Sequence, residues 1–316
     1  MPVIPAPAFV PTLIATLGLF RYPHRGLADP AQMPQIEREL PLGRLDPRWL
    51  EAYRQSVGLP VSDDLPPLAL QIAAAPLHMA ILSDARFPFP ALGLVHMSQS
   101  IVQTRAIPAT APLLLRAYSG EARNEKRGMS FALITEAWLG DELVWRGETR
   151  ALAMDRSRAV TSSAERKTAE SPSSPEPQRE VPVTVPEATG RVYAAIAGDL
   201  NPIHQRAWMA RLFGFRRAIV HGTWTMARAL AEVPLAGLPG YTLQAGFRRP
   251  LELPGEILIR VFDQPQRVID RRMGVAAFDG IANAEQFEPL WPTVQGLRLA
   301  RDQRLSARPC HGHDRR

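Results

Sequence analysis

The chain has 316 residues, 46% of them hydrophobic and 22% charged, which fits two globular domains or one large one. Its net charge of +6 is carried almost wholly by arginine, with Lys126 and Lys167 the only lysines. Those arginines are scattered rather than gathered in a stripe, which argues against a nucleic-acid-binding face. The single cysteine, Cys310, excludes an internal disulfide framework and fits a reducing compartment.

An apolar run from Ala8 to Phe20 comes first. It is too short to span a bilayer, carries Pro11 and has no basic start, so it reads as a core or surface-docking segment rather than a membrane span or signal peptide. A soluble, cytoplasmic protein is expected. Asp46-Pro47 then opens a helix that ends at Gly58, with Leu50, Tyr53 and Val57 at helical spacing. Leu65-Pro66-Pro67 precedes a second apolar stretch, LALQIAAAPLHMAIL, and MSQSIVQTRAI after His96 reads as helical. From Pro112 to Met154 the pattern changes. PLLLRAYSGEA, GMSFALITEAWL and ELVWRGETRALAM are alternating, β-rich runs joined by polar turns, as in an antiparallel meander. Residues 155–181 hold Ser, Pro and charge with almost no large apolar side chains and read as a disordered linker. Two further strands are expected at Tyr241 to Phe247 and Glu256 to Phe262, and DRRMGVAAFDG reads as one more strand with its turn. The stretch from Ala282 onward has weak periodicity. Cys310, His311 and His313 near its end fit no standard zinc spacing and read as part of a frayed basic tail.

The densest cluster of chemistry lies in Gly198-Asp199-Leu200-Asn201-Pro202-Ile203-His204, followed by His221-Gly222 before a helical run. Pro202 interrupts any continuous helix, so Asp199 falls on a loop or helix end and His204 on the turn after it. A short loop of this kind can aim an acid and an imidazole at one point, which serves general acid–base chemistry. The same residues also fit a helix cap and a satisfied polar histidine. The arrangement has an echo upstream. Pro76-Leu77-His78 followed by Leu94-Val95-His96 parallels Pro202-Ile203-His204 followed by Ile219-Val220-His221 at nearly the same separation, which points to a duplicated unit. The first copy lacks the Gly-Asp-x-Asn, so His78 and His96 read as structural.

Taken together, Gly198-Asp199-x-Asn201-Pro202-Ile203-His204, Gly214-Phe215, Ile219-Val220-His221-Gly222 and the downstream Phe247-Arg248-Arg249-Pro250-Leu251-Glu252-Leu253-Pro254-Gly255 resemble the signature of the MaoC-like dehydratases, also called (R)-specific enoyl-thioester hydratases. Two positions depart from it. Arg206 stands where many relatives carry an acid, and Thr223 where they often carry Met. The resemblance implies an α+β fold, the double hotdog, in which each unit wraps an antiparallel sheet around a long helix. Residues 1–154 would form a degenerate N-terminal unit and residues 182–280 the MaoC-like one, with an uncertain tail over 281–316.

The activity so implied is reversible hydration of trans-2-enoyl thioesters to (3R)-hydroxyacyl thioesters, carried on coenzyme A or an acyl carrier protein, with no metal or redox cofactor. Asp199 and His204 would hold and deprotonate water, Asn201 would orient them, and the Gly222 N–H would stabilise the thioester oxyanion. His221 would close the loop onto the helix. Arg216, Arg217, Arg248 and Arg249 are candidates for carrier phosphates. A non-catalytic acyl-thioester binder and a hotdog thioesterase stay open as alternatives, and a double-hotdog chain can stand as monomer or homodimer.

Overall fold

The structure, a computed structural model, describes residues 26–155 and 177–262 apart from loop positions 92, 234, 236, 237 and 239, together with the strands Val3–Ile4, Val268–Ile269 and Ala277–Phe278. The Ala8–Phe20 run, most of the 155–181 segment and the Cys310-His311-His313 tail lie outside the described residues.

In chain order the N-terminal half runs β1 (Val3–Ile4), β2 (Glu37–Leu42), β3 (Arg44–Leu45), α1 (Pro47–Val57), α2 (Ala69–Ala73), α3 (Ala75–Leu82), β4 (Val95–Gln103), β5 (Leu113–Glu125), β6 (Gly128–Leu139) and β7 (Glu142–Met154). The C-terminal half runs β8 (Arg179–Val185), α4 (Thr189–Ala197), α5 (Ala207–Arg211), α6 (Gly222–Leu230), β9 (Tyr241–Gly246), β10 (Gly255–Val261), β11 (Val268–Ile269) and β12 (Ala277–Phe278).

Local chemistry accounts for the better-defined elements. In α1 the Asp46 carboxylate accepts the Arg48 N–H at 2.8 Å, Pro47 takes the first helical position, and Gly58 ends the helix at φ 75°. Its buried face is Trp49, Leu50, Tyr53 and Val57. The β5–β6–β7 meander pairs antiparallel along nearly its whole length, and β6 is buried from Gly128 to Ala137.

Ten strands form one sheet in the order β2-β5-β6-β7-β4-β9-β12-β11-β10-β8. The order is a mirror: β2 answers β8, β5 answers β10, β6 answers β11, β7 answers β12, and the halves meet where β4 pairs antiparallel with β9 from Ser98↔Gly246 to Gln103↔Tyr241. This is the double hotdog, with α2 and α3 as the central helix of the first unit and α6 as that of the second. Two indoles fasten the halves across their helices. Trp49 Nε1–H donates to the Ile196 carbonyl at 2.8 Å, and Trp224 Nε1–H donates to the Ser56 carbonyl at 2.9 Å. Between them Tyr53 stacks on Trp49 at 5.9 Å and meets Tyr193 at 6.4 Å. Among the described residues no helix is long and apolar enough to cross a membrane.

Three expectations need correction. MSQSIVQ is not helical: it is the body of β4, with Gln99, Ile101 and Gln103 buried in strand alternation. The sequence echo therefore does not mark equivalent sites. His78 lies inside α3 and His96 on β4, whereas His204 ends a 3₁₀ turn and His221 caps α6. The duplication is real in topology but runs in another register, β4 answering β9. Finally, Arg179–Val181, read as linker, belongs to β8, where β10 pairs with it from Val261↔Arg179 onward.

Candidate active site

The site is assembled where α4 stops. Gly198 takes a left-handed conformation at φ 70° and turns the chain out of the helix into Asp199. Asp199 Oδ1 then accepts the Asn201 N–H at 3.1 Å, and Asn201 Oδ1 accepts the Ile203 N–H at 3.4 Å. Asn201 thus caps the 3₁₀ turn Pro202–His204, in which Pro202 costs no donor. The far end of the turn is fixed by the Ile219 N–H, which donates to the Ile203 carbonyl at 3.0 Å.

Two histidines face Asp199. His204 Nδ1 lies 2.8 Å from the Ile219 carbonyl. A carbonyl only accepts, so Nδ1 carries the proton and Nε2 presents a lone pair. That Nε2 stands 3.9 Å from Asp199 Oδ2. His221 Nε2 lies 3.1 Å from the Asp199 carbonyl and donates to it, which ties the helix cap to the loop as expected. The two imidazoles stack with centroids 3.7 Å apart and planes 26° from parallel.

Burial lowers the His204 pKa against the opposing pull of Asp199 and the Ile219 carbonyl, and the net direction is below the ordinary 6.5. Burial, then the neighbouring His204, bring His221 down to about 3 against the pull of Asp199. Burial pushes the Asp199 carboxyl up, but His221, His204 and the Asn201 N–H outweigh it and the net direction is down. Its side chain keeps 51% exposure and lines the cleft. At neutral pH the site therefore holds a carboxylate and two neutral imidazoles.

The carboxylate and the His204 lone pair converge across a gap too long for a direct hydrogen bond and right for a hydroxyl or water that contacts both. Donor atoms of Asp199, His204 and His221 also lie within 4.8 Å of one another, as a metal site requires. The fit is poor, because His221 commits its Asp199-facing nitrogen to the Asp199 carbonyl and its lone pair lies on the opposite ring edge. The arrangement is one for moving protons.

A cleft of about 1000 Å³ runs between the two halves over this cluster. Asp199, Asn201, His204 and Gly222, the residues singled out from sequence, all line it. Gly222 opens α6, where a first-turn N–H has no carbonyl four residues back to bond. Of the four candidate arginines, Arg248 and Arg249 line the cleft, whereas Arg216 pairs with Glu252 at 3.2 Å and neither it nor Arg217 lies on the wall.

Three features escaped the sequence. His96, read as structural, reaches the site from the other half. It packs on Phe247 at 4.6 Å, and a Cβ on Gly222 would meet its Nδ1 at 3.2 Å. Arg127 joins Arg248 and Arg249 on the wall. Gly190 in α4 lies directly under the His204 carbonyl, 2.2 Å from where its Cβ would stand. Nothing local in the sequence marks any of the three.

The family described as MaoC like domain matches residues 168–244. A curated relative, 3-hydroxyacyl-thioester dehydratase X of Mycobacterium tuberculosis, is 31% identical over 226 residues, covering 68% of this chain and 75% of the relative. The crystal structure of HtdX from M. tuberculosis superposes with a TM-score of 0.65 at 26% identity, covering 78% of this chain and 98% of that one. A MaoC-like dehydratase from Phytophthora capsici has a TM-score of 0.56 at 17% identity, covering 79% and 94%, a likeness of fold alone.

Proposed function

The chain belongs to the MaoC-like dehydratase family, and from that premise we propose that it catalyses the reversible hydration of trans-2-enoyl thioesters to (3R)-hydroxyacyl thioesters. The observation that carries the assignment of roles is the convergence of the Asp199 carboxylate and the bare Nε2 of His204 on one point of the cleft.

In the hydration direction a water lies between the two groups. Asp199 accepts one of its hydrogen bonds. His204 Nε2 takes the other proton as the oxygen adds to C3 of the enoyl group, and the imidazolium so formed is stabilised by the carboxylate beside it. The same proton passes to C2, so the reaction adds one water and leaves the enzyme unchanged. Negative charge gathers on the thioester oxygen as the bond to C3 forms. In this reading the Gly222 N–H, at the positive end of α6, receives it. Asn201 keeps the carboxylate oriented through its N–H.

In this reading residues 182–280 supply the chemistry, and the N-terminal half, through residues 1–154, supplies the opposite wall. Arg127, Arg248 and Arg249 meet the phosphates of the thioester carrier at the cleft. The β4–β9 pairing within one chain supports a self-sufficient double-hotdog unit, and the lone cysteine fits a cytoplasmic setting.

The test is the loss of enoyl absorbance on a series of trans-2-enoyl-CoA thioesters, with Asp199→Asn and His204→Ala alongside. Each substitution is expected to lower kcat by about 10²–10⁴-fold. A folded wild type that binds the thioesters and does not hydrate them overturns the assignment.

A further inference from the structure

Beside the cleft mouth the chain displays a surface that the reaction does not use. α5 and the turn after it expose Trp208, at 61%, and Leu212, at 72%, both large apolar side chains in open solvent. They stand four residues apart, on one face of the helical turn. Arg206, Arg211, Arg216 and Arg217 are exposed around them. From Leu200 to Ala231 the chain contains no Asp or Glu. The one acid shown pairing into this surface is Glu252, on Arg216, whose side chain is still 84% exposed. The helix and its turn are held as a unit: the Phe215 N–H donates to the Ala210 carbonyl at 3.2 Å, and Arg211 Nε–H donates to the Arg216 carbonyl at 3.4 Å. It is also continuous with the cleft, because Phe213 and Phe215 of the same turn line the wall, and Arg248 and Arg249 lie on that wall too.

We propose that this face docks a small acidic carrier protein that presents the acyl thioester to the cleft on a flexible arm. The proposal rests on the function inferred above and names the form in which the substrate arrives. The chemistry of the patch argues for a protein. Trp208 and Leu212 lie outside the cleft wall, so a thioester seated in the cleft leaves them uncovered. An apolar helical pair rimmed by arginines matches a partner with an apolar helix groove and an acidic rim. Charge of one sign at the mouth also steers such a partner toward the opening.

The test compares one trans-2-enoyl chain on coenzyme A and on an acidic acyl carrier protein, using wild type, the Trp208→Ser/Leu212→Ser double variant and Arg211→Glu. All three positions are exposed, and melting temperature confirms that each variant is folded. The proposal expects kcat/KM on the carrier-bound substrate to fall by about tenfold or more in both variants. It expects kcat/KM on the coenzyme A substrate to stay within about twofold, and the salt dependence of the carrier reaction, steep in wild type, to flatten in Arg211→Glu while that of the coenzyme A reaction is unchanged. Equal losses on both substrates, or no loss on either, overturn it. If wild type turns over neither substrate, the function above fails by itself, and calorimetric binding of the carrier protein then decides the docking face: binding lost in both variants supports it, and no binding overturns it. Two further results overturn it in favour of another occupant: co-sedimentation of wild type with phosphatidylglycerol vesicles that the double variant abolishes, and a solution dimer that the double variant dissolves.

Discussion

Gly190→Ala is the substitution that most directly couples the packing of α4 to the chemistry. Gly190 is helical and buried, so propensity alone favours alanine there by up to about 1 kcal/mol. The surroundings oppose it. The added Cβ would lie 2.2 Å from the His204 carbonyl oxygen, 3.3 Å from its carbon and 3.0 Å from Leu253 Cδ1. Leu253 can turn its methyl away, but the His204 carbonyl is backbone. Ordinary contact begins near 3.4 Å, so the 3₁₀ turn must retreat from α4 by about 1 Å. Overpacking of this kind costs about 1–3 kcal/mol, which leaves a net destabilisation of about 0–2 kcal/mol after the propensity gain. The turn carries His204, whose Nε2 is held 3.9 Å from Asp199 Oδ2. A displacement of about 1 Å in a catalytic group lowers rate by about 10²-fold. The expected variant is therefore folded, with a melting temperature lowered by a few degrees, and nearly inactive in enoyl-thioester hydration. A folded Gly190→Ala enzyme within about threefold of wild-type kcat would refute the argument that this close approach sets the position of His204.

Other outcomes follow from the same geometry. Because the His204 pKa is lowered and the proposed base is the neutral ring, kcat/KM for hydration should hold a plateau at neutral pH and fall only below pH 6.5; an acid limb centred at or above 6.5 would contradict the assignment of His204 as base. The Tyr53 hydroxyl is buried with no hydrogen-bond partner among the described residues, so Tyr53→Phe should leave stability unchanged or raise it by about 1 kcal/mol in chemical denaturation, and a clear loss would reveal a partner. Trp224→Phe removes one of the two indole links between the halves and should cost about 1–2 kcal/mol, read as a lower denaturation midpoint at constant substrate affinity. Arg248→Glu with Arg249→Glu should raise KM for coenzyme A thioesters and reverse its salt dependence while leaving kcat nearly unchanged.

The parts of this molecule that could be read in the chain are those whose cause is local. Asp46, Pro47 and Gly58 bracket α1 because caps act within a turn, and the β5–β7 meander shows because each strand alternates against a neighbour one turn away. Asp199, Asn201 and His204 could be picked out for the same reason: one seven-residue loop brings them together, although Ile219 and Gly190 fix where its last turn sits. What failed depends on distant partners. Met97 and Ile101 fit a helical stripe as well as a strand face, and only the pairing of β4 with β7 and β9 decides between them. His96 becomes a wall of the site because β4 and β9 join the halves. Gly190 looks like a weak helix position until the His204 turn is laid across it.

The buried histidines give the fold an acid limit that can be measured apart from catalysis. His78, in α3, is buried and bonds Thr135 Oγ1 through Nε2 at 2.7 Å, and burial brings its pKa down to about 4. His96 is likewise brought down to about 4, and His221 to about 3, by burial first. Above pH 6.5 neither the folded nor the unfolded chain protonates these rings, and they make stability independent of pH. Between 6.5 and about 4 the unfolded chain binds protons that the folded chain refuses, so stability falls as pH falls, by up to about 1.4 kcal/mol per unit for each ring. For His78 alone the loss reaches about 2 kcal/mol at pH 5. That is a large share of the roughly 5–15 kcal/mol that holds a domain together, and three such rings act in the same direction. Wild type should therefore lose stability steeply between pH 6.5 and 5 in urea titrations. His78→Gln keeps a polar partner for Thr135 and cannot take up a proton, so it should flatten that slope by close to one proton, whatever its stability at pH 7. A wild-type stability that stays constant from pH 7 to 5, or a His78→Gln slope equal to wild type, would show that His78 titrates in the folded protein as it does in water.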